Sequence, residues 1–385
     1  MNVLFVDQYG DMGGAQRCLL EVVEAALDRG WRLQVALPGE GMFQERLRRL
    51  GVPVRRIACG PFAAGQKTGR DVLRFAMQWP GLARRIRELI ESEGSGLVYV
   101  NGPRALAAAC TAARGRAAVL FHCHSWLKPA HAWLAGWSLR RVERTSVVAA
   151  SRYVAGAIER HIDAGRLRVI YNGVADCSMA GNRGADGLRR VGVVGRIAPE
   201  KGQMEFVEAA RRLAGELGEV RFVICGAPLF GDAKAERYYQ AVRRAAEGAP
   251  VEFWGWQEDV REALARLDVL VVPSTDAECT PRVIPEAYAA GVQVVAFRSG
   301  GIPEIVEDGV TGRLARASTA EGLAEALRDV LGHSENGCRG MTARARDVWR
   351  ERFSVGRFQA QVLEAMEGLE QSADWRANRQ TVCGV

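Results

Sequence analysis

Two cations lie close together in a glycine-bounded segment of the second half of the chain. The segment reads Gly195-Arg196-Ile-Ala-Pro-Glu-Lys201-Gly202 and connects an apolar run typical of a strand to a helical pattern. Cations beside a helix N-terminus favour an anion, and open α/β sheets bind ligands in the crevice outside the carboxyl ends of their strands. Arginine and lysine are also common in surface loops, but this placement of Arg196 and Lys201 predicts a site for an anionic group.

Two glutamates, Glu278 and Glu286, are separated by seven residues in the segment Pro273–Gly291. They flank a turn and the predicted start of a helix, and Pro281 or Pro285 suits its first turn. A carboxylate there can accept hydrogen bonds from ribose or sugar hydroxyls, and the amides of the helix start can face a diphosphate. A single glutamate in a first helical turn often only complements the helix dipole. Two in this setting favour a binding site.

A third glycine-rich segment follows another predicted strand. It reads Ser299-Gly300-Gly301-Ile-Pro303-Glu304 and leads into a further helix. Successive backbone N–H groups in such a loop can form an anion-binding concavity. We therefore expect this loop to open on the same sheet edge as the two preceding segments.

The first half of the chain offers weaker signals. His122 and His124 stand at the end of a predicted strand, where alternate side chains share one face. The pair could hold a metal ion, but no third ligand is evident, and a strand-end histidine is often only a hydrogen-bonded core residue. Gly13 and Gly14 lie between a strand and a helix, where a phosphate or an acceptor can approach the backbone, although a tight turn explains them equally well.

The elements that must position these residues alternate along nearly the whole chain. Short apolar runs separated by helical patterns of 10–15 residues indicate βαβ units and parallel sheets. Eleven strands would make one sheet unusually wide, so two doubly wound sheets are expected. The predicted strands are Asn2–Asp7, Arg32–Ala36, Leu97–Asn101, Ala117–Cys123, Ser146–Ala150, Leu167–Tyr171, Arg190–Gly195, Val220–Cys225, Val251–Trp254, Val269–Pro273 and Val292–Phe297.

The domain boundary is expected in a polar, glycine-rich stretch over residues 175–188, after the turn signal Asn172-Gly173. This predicts a first domain over residues 1–180 and a second over residues 181–354. Val355–Glu370 has the pattern of an amphipathic helix, and the tail beyond it is polar.

Together, the Gly195–Gly202 segment, the Glu-x7-Glu spacing of Glu278 and Glu286 and the Gly-Gly-Ile-Pro-Glu loop at 300–304 resemble the retaining family 4 glycosyltransferases of the GT-B fold, of the bacterial cell-surface glycan type. The resemblance covers residues 190–331 and continues more loosely through the first half, at Gly13–Gln16 and Asn172–Val174. It implies two Rossmann-like doubly wound parallel-sheet domains facing each other across a cleft. It also implies that residues 355–385 return to the first domain.

The resemblance further implies a reaction. A hexosyl or N-acetylhexosaminyl unit would move from a UDP- or GDP-linked sugar to a hydroxyl of a saccharide or lipid-linked acceptor, in surface polysaccharide or glycoconjugate biosynthesis. The first domain would hold the acceptor and the second the nucleotide sugar. The resemblance implies no metal and no cofactor besides the donor. In agreement, the chain lacks Asp-x-Asp, the metal-binding pair of the other common glycosyltransferase fold.

The resemblance also implies a role for each residue of this chain that matches a family motif. Arg196 and Lys201 would neutralise the departing diphosphate, Glu278 would hold the hydroxyls of the donor sugar, and Glu286 would hold the ribose. His124 occupies the position of the family's active-site histidine, which faces the donor sugar. The remaining predicted donor-binding residues are Gly14, Gly195, Trp256, Thr280, Arg282 and Val283.

The chain departs from the family pattern directly after Glu278. The family often has Gly-Phe-Gly or Pro-Phe-Gly there, whereas this chain has Cys279-Thr280-Pro281. Pro281 has no N–H to offer a phosphate, so the contact is expected to shift to Thr280 or Arg282. Two alternatives stay open: a nucleotide-sugar epimerase of the same fold, and an inactive nucleotide-sugar-binding or scaffold protein.

The charge and composition of the chain limit the kinds of partner that it is expected to bind. The net charge is +10 over residues 1–180 and −3 over residues 181–385. The basic excess lies partly in the amphipathic stretch Gly69–Glu91, which fits either an anionic membrane surface or a plain solvated helix. Interleaved basic and aromatic residues typical of nucleic-acid binding are absent. Nine cysteines without CxxC spacing, no basic leader and no long apolar stretch predict a protein that is cytoplasmic, either free or peripheral on the inner face of the membrane.

Overall fold

The computed structural model describes residues 1–60, 69–179, 187–217, 219–229, 233–332 and 335–371. They form two compact units, one from residues 1–172 with 356 onward and the other from residues 173–355. The boundary predicted at 180 and 181 lies outside the described residues. Within the described part, no helix is both long and apolar enough to cross a membrane.

The first unit is built on a parallel sheet of seven strands in the order β3-β2-β1-β4-β5-β6-β7. Its strands are β1 (Asn2–Asp7), β2 (Arg32–Leu37), β3 (Val54–Arg56), β4 (Leu97–Asn101), β5 (Ala118–Cys123), β6 (Thr145–Ala149) and β7 (Leu167–Val169). The connecting helices are α1 (Gly14–Asp28), α2 (Met42–Arg49), α3 (Gly69–Ser92), α4 (Leu106–Ala113), α5 (Pro129–Leu139) and α6 (Arg152–Gly156).

The second unit repeats this plan on a parallel sheet of six strands in the order β10-β9-β8-β11-β12-β13. Its strands are β8 (Arg189–Val194), β9 (Val220–Cys225), β10 (Val251–Gly255), β11 (Val269–Val272), β12 (Gln293–Ala296) and β13 (Arg313–Leu314). Its helices are α7 (Gln203–Leu213), α8 (Ala233–Ala245), α9 (Val260–Leu264), α10 (Val283–Ala290), α11 (Ile302–Ile305), α12 (Ala320–Gly332) and α13 (Glu335–Val348).

All eleven predicted strands are present, and the two additional strands are the short edge strands β3 and β13. Central strands of a parallel sheet are covered on both faces, so they read as continuous apolar runs. β11, with the sequence Val-Leu-Val-Val, is buried at every position. β3 has three residues and β13 two, too few to form such a run.

The last helix, α14 (Val355–Gln371), belongs to the first unit although it follows the second in the chain. Its side chains Phe358, Val362 and Met366 are fully buried in the core that also holds Val3 and Phe5 of β1. Arg29, directly after α1, also forms an ion pair with Glu367 at 2.6 Å.

Each sheet reverses its winding direction at one place, between β1 and β4 in the first unit and between β8 and β11 in the second. Loops that leave adjacent strands in opposite directions open a crevice at the carboxyl edge of the sheet, and doubly wound proteins bind ligands there. The Arg196–Gly202 loop follows β8 and the loop that contains Glu278 follows β11. The two main predicted motifs therefore flank the reversal in the second sheet.

Candidate functional site

The loops after β8 and β11 lie in direct contact, and a glycine makes this possible. Gly202 ends the 3₁₀ turn Pro199–Lys201 with a φ of 71°. A Cβ at this position would lie 1.8 Å from the carbonyl oxygen of Pro273, so no larger residue fits. Thr275 also donates its backbone N–H to the Glu200 carbonyl at 3.1 Å. The cationic segment is thereby fixed against the start of the Glu278 loop.

Lys201 and Glu278 form an ion pair across these two loops, through Nζ and Oε1. The same carboxylate oxygen accepts a hydrogen bond from the Ser274 hydroxyl at 2.9 Å. Among the described residues, no hydrogen bond to Oε2 is formed. Lys201 retains 29% and Glu278 17% of their side-chain exposure, so both can reach a ligand.

The loop after β12 completes this edge of the sheet. Gly301 donates its N–H to the Glu278 carbonyl at 2.7 Å, and the Ser299 hydroxyl accepts from the Glu278 N–H at 3.3 Å. Gly300 has a φ of 53°, and a Cβ there would lie 2.1 Å from the Glu278 carbonyl oxygen. The three predicted segments thus converge on Glu278.

Arg196 pairs with a residue of its own loop. Its Nη2 contacts Oε1 of Glu200, and its carbonyl accepts from the buried Gln203 side chain at 3.0 Å. Partial burial alone would raise the pKa of Glu200. Hydrogen bonds from its own N–H and from Arg196, with the charges of Arg196 and Lys201, hold that pKa below its ordinary value instead. Glu200 is therefore ionised at neutral pH and orients the Arg196 guanidinium.

α10 carries the second glutamate. Arg282 is the residue before its first turn, Val283 begins it, and Glu286 lies in the first turn. Arg282 Nε and Glu286 Oε1 are 3.9 Å apart, with only 13% and 9% of their side chains exposed. Thr280 lies half-buried just before the helix. The first-turn N–H groups of a helix have no intrahelical acceptors, so this helix start suits a phosphate.

Trp256 lies apart from this group. It follows β10 at the far edge of the sheet order β10-β9-β8, where 43% of the residue is exposed. Gly195 directly follows β8 and donates its N–H to the Cys225 carbonyl at 2.9 Å. Neither residue contacts Glu278 or Arg282 through a described hydrogen bond.

The remaining predicted residues, Gly14 and His124, belong to the first unit. Gly14 begins α1 and is exposed. His124 directly follows β5, and its Nε2 lies 2.8 Å from Oδ1 of Asn101 at the end of β4. Asn101 Nδ2 in turn donates to Oδ2 of Asp7, the last residue of β1. A polar network therefore runs from Asp7 through Asn101 to His124.

His122 points away from solvent and is fully buried. Its Nδ1 is hydrogen-bonded to the Tyr99 hydroxyl, and its ring centroid lies 3.8 Å from that of His124. Burial, and secondarily the repulsion that a protonated His122 would meet from a protonated His124, lowers the pKa of His122 well below its ordinary value. The described residues contain no group of three or more His, Cys, Asp or Glu side chains arranged to hold a metal ion.

Sequence reasoning did not identify Asp7, Asn101, Ser274 or Ser299 as site residues. Asp7, Asn101 and Ser274 lie at, or two residues beyond, the end of a strand next to a winding reversal, and Ser299 lies three residues beyond the adjacent strand β12. That position is the signal that could have found them, because polar residues at carboxyl strand ends meet at one edge of a parallel sheet.

Both units match family models. Residues 12–176 match the model described as Glycosyltransferase Family 4, and residues 189–333 match the model described as Glycosyl transferases group 1. The two matched ranges contain every predicted site residue. Each half of the chain thus matches a model of glycosyltransferase domains.

Curated relatives match part of the chain. Alpha-maltose-1-phosphate synthase of Mycolicibacterium smegmatis is 32% identical over 256 residues, which are 58% of this chain and 64% of that protein. The lipopolysaccharide core biosynthesis glycosyltransferase LpsE of Rhizobium meliloti is 33% identical over 138 residues, 36% of this chain and 38% of that protein. The chain thus spans less than two thirds of the length of these relatives.

Solved structures match over nearly the whole chain. Crystal structures of HepE from Anabaena, in complex with UDP and with UDP-glucose, are 26% identical, with TM-scores of 0.80 and 0.79. Each covers 96% of this chain and 100% of its own. Sucrose-phosphate synthase from Thermosynechococcus elongatus, 18% identical with a TM-score of 0.75, shares the fold. The predicted fold class, two Rossmann-like doubly wound sheets of the GT-B type, is confirmed.

Proposed function

We propose that this chain is a retaining, metal-independent hexosyltransferase. It joins a family 4 glycosyltransferase domain to a group 1 glycosyltransferase domain and so belongs with the GT4-like glycosyltransferases. Its donor is a UDP-linked hexose or N-acetylhexosamine, and its acceptor is a hydroxyl of a saccharide or a lipid-linked saccharide. The observation that carries the proposal is the convergence of Lys201, Arg196 and Glu278 at the winding reversal of the second sheet.

The choice of UDP over GDP rests on the solved neighbours. HepE of Anabaena, which matches both units of this chain, binds UDP and UDP-glucose. The choice of a saccharide acceptor rests on relatives such as the lipopolysaccharide core glycosyltransferase of Rhizobium meliloti. Both assignments are proposals for this chain and place it in glycan biosynthesis.

The reaction breaks the bond between C1 of the donor sugar and the β-phosphate oxygen. The bonding pair leaves with the diphosphate, the acceptor oxygen bonds to C1 on the same face, and the acceptor proton passes to a donor phosphate oxygen. The products are the glycoside and UDP. Negative charge grows on the diphosphate in the transition state, so preorganised cations and amides accelerate the step.

Lys201 and Arg196 supply these cations. Each is held by a carboxylate, Lys201 by Glu278 and Arg196 by Glu200. The Lys201 ammonium has three N–H donors, and its described hydrogen bond to Glu278 uses one of them. The others can reach phosphate oxygens while Glu278 Oε2 accepts a hydroxyl of the donor sugar. The pair thus binds both sides of the bond that breaks.

Binding of the nucleotide tests the donor site first. We expect UDP, and not GDP or ADP, to raise the melting temperature of the wild-type chain by about 2–4 °C at a hundredfold excess over Kd. Lys201→Ala should weaken UDP binding at least roughly tenfold, since it removes a charge that contacts phosphate. Lys234→Ala, an exposed lysine of α8 in the same unit, is the matched control.

Product analysis then separates the alternatives. Incubation with UDP-glucose or UDP-N-acetylglucosamine and a saccharide acceptor should release UDP and form a glycoside with the donor's anomeric configuration. If the product were instead an epimerised nucleotide sugar, the chain would be a nucleotide-sugar epimerase and not a transferase. UDP binding without any turnover over a broad panel of acceptors would support an inactive binding protein.

We extend the proposal to association with anionic membranes through α3. Leu73 and Met77 lie one helical turn apart, with 60% and 68% of their surface exposed. Arg74 is exposed beside them, and Arg84 two turns further on keeps 81% of its side-chain exposure. Exposed apolar side chains flanked by cations are typical of helices that lie on an anionic bilayer, where a lipid-linked acceptor would be found.

Vesicle sedimentation tests this association. The wild-type chain should sediment with vesicles containing phosphatidylglycerol and not with pure phosphatidylcholine vesicles. Leu73→Ser with Met77→Ser should reduce the bound fraction several-fold. Met42→Ser on α2, where 51% of the residue is exposed, is the control and should leave binding unchanged. Equal binding by the double variant would show that α3 is a solvated helix.

A further inference from the structure

Asp7 is a fully buried carboxylate whose described hydrogen-bond partners are all neutral. Oδ1 accepts from the Tyr9 backbone N–H at 2.8 Å and from Gln16 Nε2 at 2.9 Å. Oδ2 accepts from Gln16 Nε2 at 3.1 Å and from Asn101 Nδ2. Asp7 ends β1 and Asn101 ends β4, so this bond spans the winding reversal of the first sheet.

These contacts decide which way the Asn101 amide points. Its Nδ2 faces two acceptors, Oδ2 of Asp7 and the Ala15 carbonyl at 3.3 Å. A flipped amide would place Oδ1 against both oxygens, which repel it, so the NH₂ group is held on this side. The amide oxygen of Asn101 is therefore directed at His124.

The Asn101 orientation in turn decides the tautomer of His124. Oδ1 of Asn101 only accepts hydrogen bonds, and it lies 2.8 Å from Nε2 of the imidazole. The proton of neutral His124 must therefore lie on Nε2, and the lone pair lies on Nδ1. The ring is held by a hydrogen bond to one nitrogen, and it can act as an acceptor at the other.

The burial of the Asp7 carboxylate does not favour the folded state. Burial raises the pKa of Asp7 to about 6, and the hydrogen bonds from Asn101, Tyr9 and Gln16 only partly offset the burial. An unpaired carboxylate in a protein interior is usually destabilising, because neutral or apolar residues of similar size fill the space at lower free energy. Its position at one end of a chain of bonds to a candidate active-site histidine points to another role.

We propose that Asp7 and Asn101 are positioning residues that hold His124 as its Nε2–H tautomer and fix the plane of its ring. In this role Asp7 orients Asn101, and Asn101 holds the imidazole. The structural part of this inference is independent of the reaction. Its effect on turnover rests on the glycosyltransfer proposed above and on the role that the family resemblance implies for His124, a histidine that faces the donor sugar.

Nitrogen-15 NMR of histidine-labelled protein at pH 8 tests the tautomer directly. The chain has five histidines, so the His124 signals can be assigned by their loss in His124→Gln. We expect a pyrrole-type shift for Nε2 and a pyridine-type shift for Nδ1 in the wild-type chain. In Asn101→Ala the two shifts should move toward each other as both tautomers become populated. Ser95→Ala, which removes a buried hydroxyl just before the opposite end of β4, should leave both unchanged.

Kinetics give the second readout. We expect Asp7→Asn and Asn101→Ala to lower kcat roughly 10- to 100-fold through misplacement of His124, with KM for the nucleotide sugar within about twofold. An Nδ1–H tautomer in the wild-type chain, or one unaffected by Asn101→Ala, overturns the inference whatever the activity. The predicted tautomer in a chain that transfers no sugar would instead uphold the positioning and refute the proposed function. Should Asn101→Ala not fold, the tautomer of the wild-type chain and the kcat of Asp7→Asn still decide the question.

Discussion

The charged side chains of the two candidate site regions differ in their exposure and in their partners. In the second unit, Lys201 and Glu278 retain part of their exposure and pair with each other, so the pair can rearrange around a ligand without leaving a charge buried alone. In the first unit, Asp7 is sealed from solvent with neutral partners. Pairs near the surface contribute about 0–1 kcal/mol, whereas an isolated buried charge is destabilising by more. The partly exposed Lys201–Glu278 pair therefore suits ligand binding, and the buried Asp7 carboxylate suits the positioning of other side chains.

The buried carboxylate makes stability depend on pH in a definite direction. The pKa of Asp7 is about 6 in the folded chain against a reference of 3.8. The folded state therefore keeps its proton to higher pH than the unfolded state, and stability falls as pH rises between about 4 and 6. A shift of this size corresponds to about 3 kcal/mol.

Asp7→Asn should remove this dependence. From pH 4 to pH 7.5 we expect the stability of the variant, relative to wild type in urea denaturation, to rise by about 2–3 kcal/mol. Any pH-independent change from altered hydrogen bonds cancels in this difference. Asp11→Asn, an exposed carboxylate in the same unit, is the control and should show no such trend. An equal offset at both pH values would mean that burial does not raise the pKa of Asp7.

At the scale of elements, the contact between the loops after β8 and β11 depends on Gly202. Its φ of 71° is strained for any other residue, and a Cβ would lie 1.8 Å from the Pro273 carbonyl oxygen. Gly202→Ala should therefore destabilise the chain by about 2–4 kcal/mol and weaken UDP binding, because Lys201 moves with the loop. Urea denaturation and calorimetry measure the two effects.

Gly215→Ala is the matched control for this substitution. Gly215 lies in the turn after α7, its φ is not in the left-handed region, and a Cβ there meets nothing within 4 Å. It should change stability by no more than about 0.5 kcal/mol. If Gly202→Ala behaved like Gly215→Ala, the two loops would not be in the tight contact described here.

The elements also show what the sequence could predict. The strands were recognisable because a strand buried on both faces needs an apolar run, as in β11. The Arg196–Gly202 and Glu278–Glu286 segments were recognisable because each belongs to the connection that follows a predicted strand. The Asp7–Asn101 bond was not recognisable, since it joins residues 94 positions apart that meet only through the strand order. Spacing along the chain carries no signal for that contact.

At the scale of the whole molecule, the chain leaves the first unit after residue 172 and returns to it at residue 356. The return places Phe358, fully buried, in the core of the first unit. Only five residues earlier, Phe353 is equally buried within the second unit. The segment Trp349–Phe353 packs there against α10 and α13. Two aromatic side chains that are neighbours in sequence thus stabilise different units.

Truncating each of these side chains should therefore loosen a different half of the molecule. Phe358→Ala and Phe353→Ala should each destabilise by about 3–5 kcal/mol, the usual effect of removing a buried aromatic ring. Hydrogen exchange followed by mass spectrometry should show faster exchange in β1 and α1 for Phe358→Ala, and in α10 and α13 for Phe353→Ala. Faster exchange in the same unit for both variants would contradict the return of α14 to the first unit. Separate effects would mean that the first unit is completed only after the second has been synthesised.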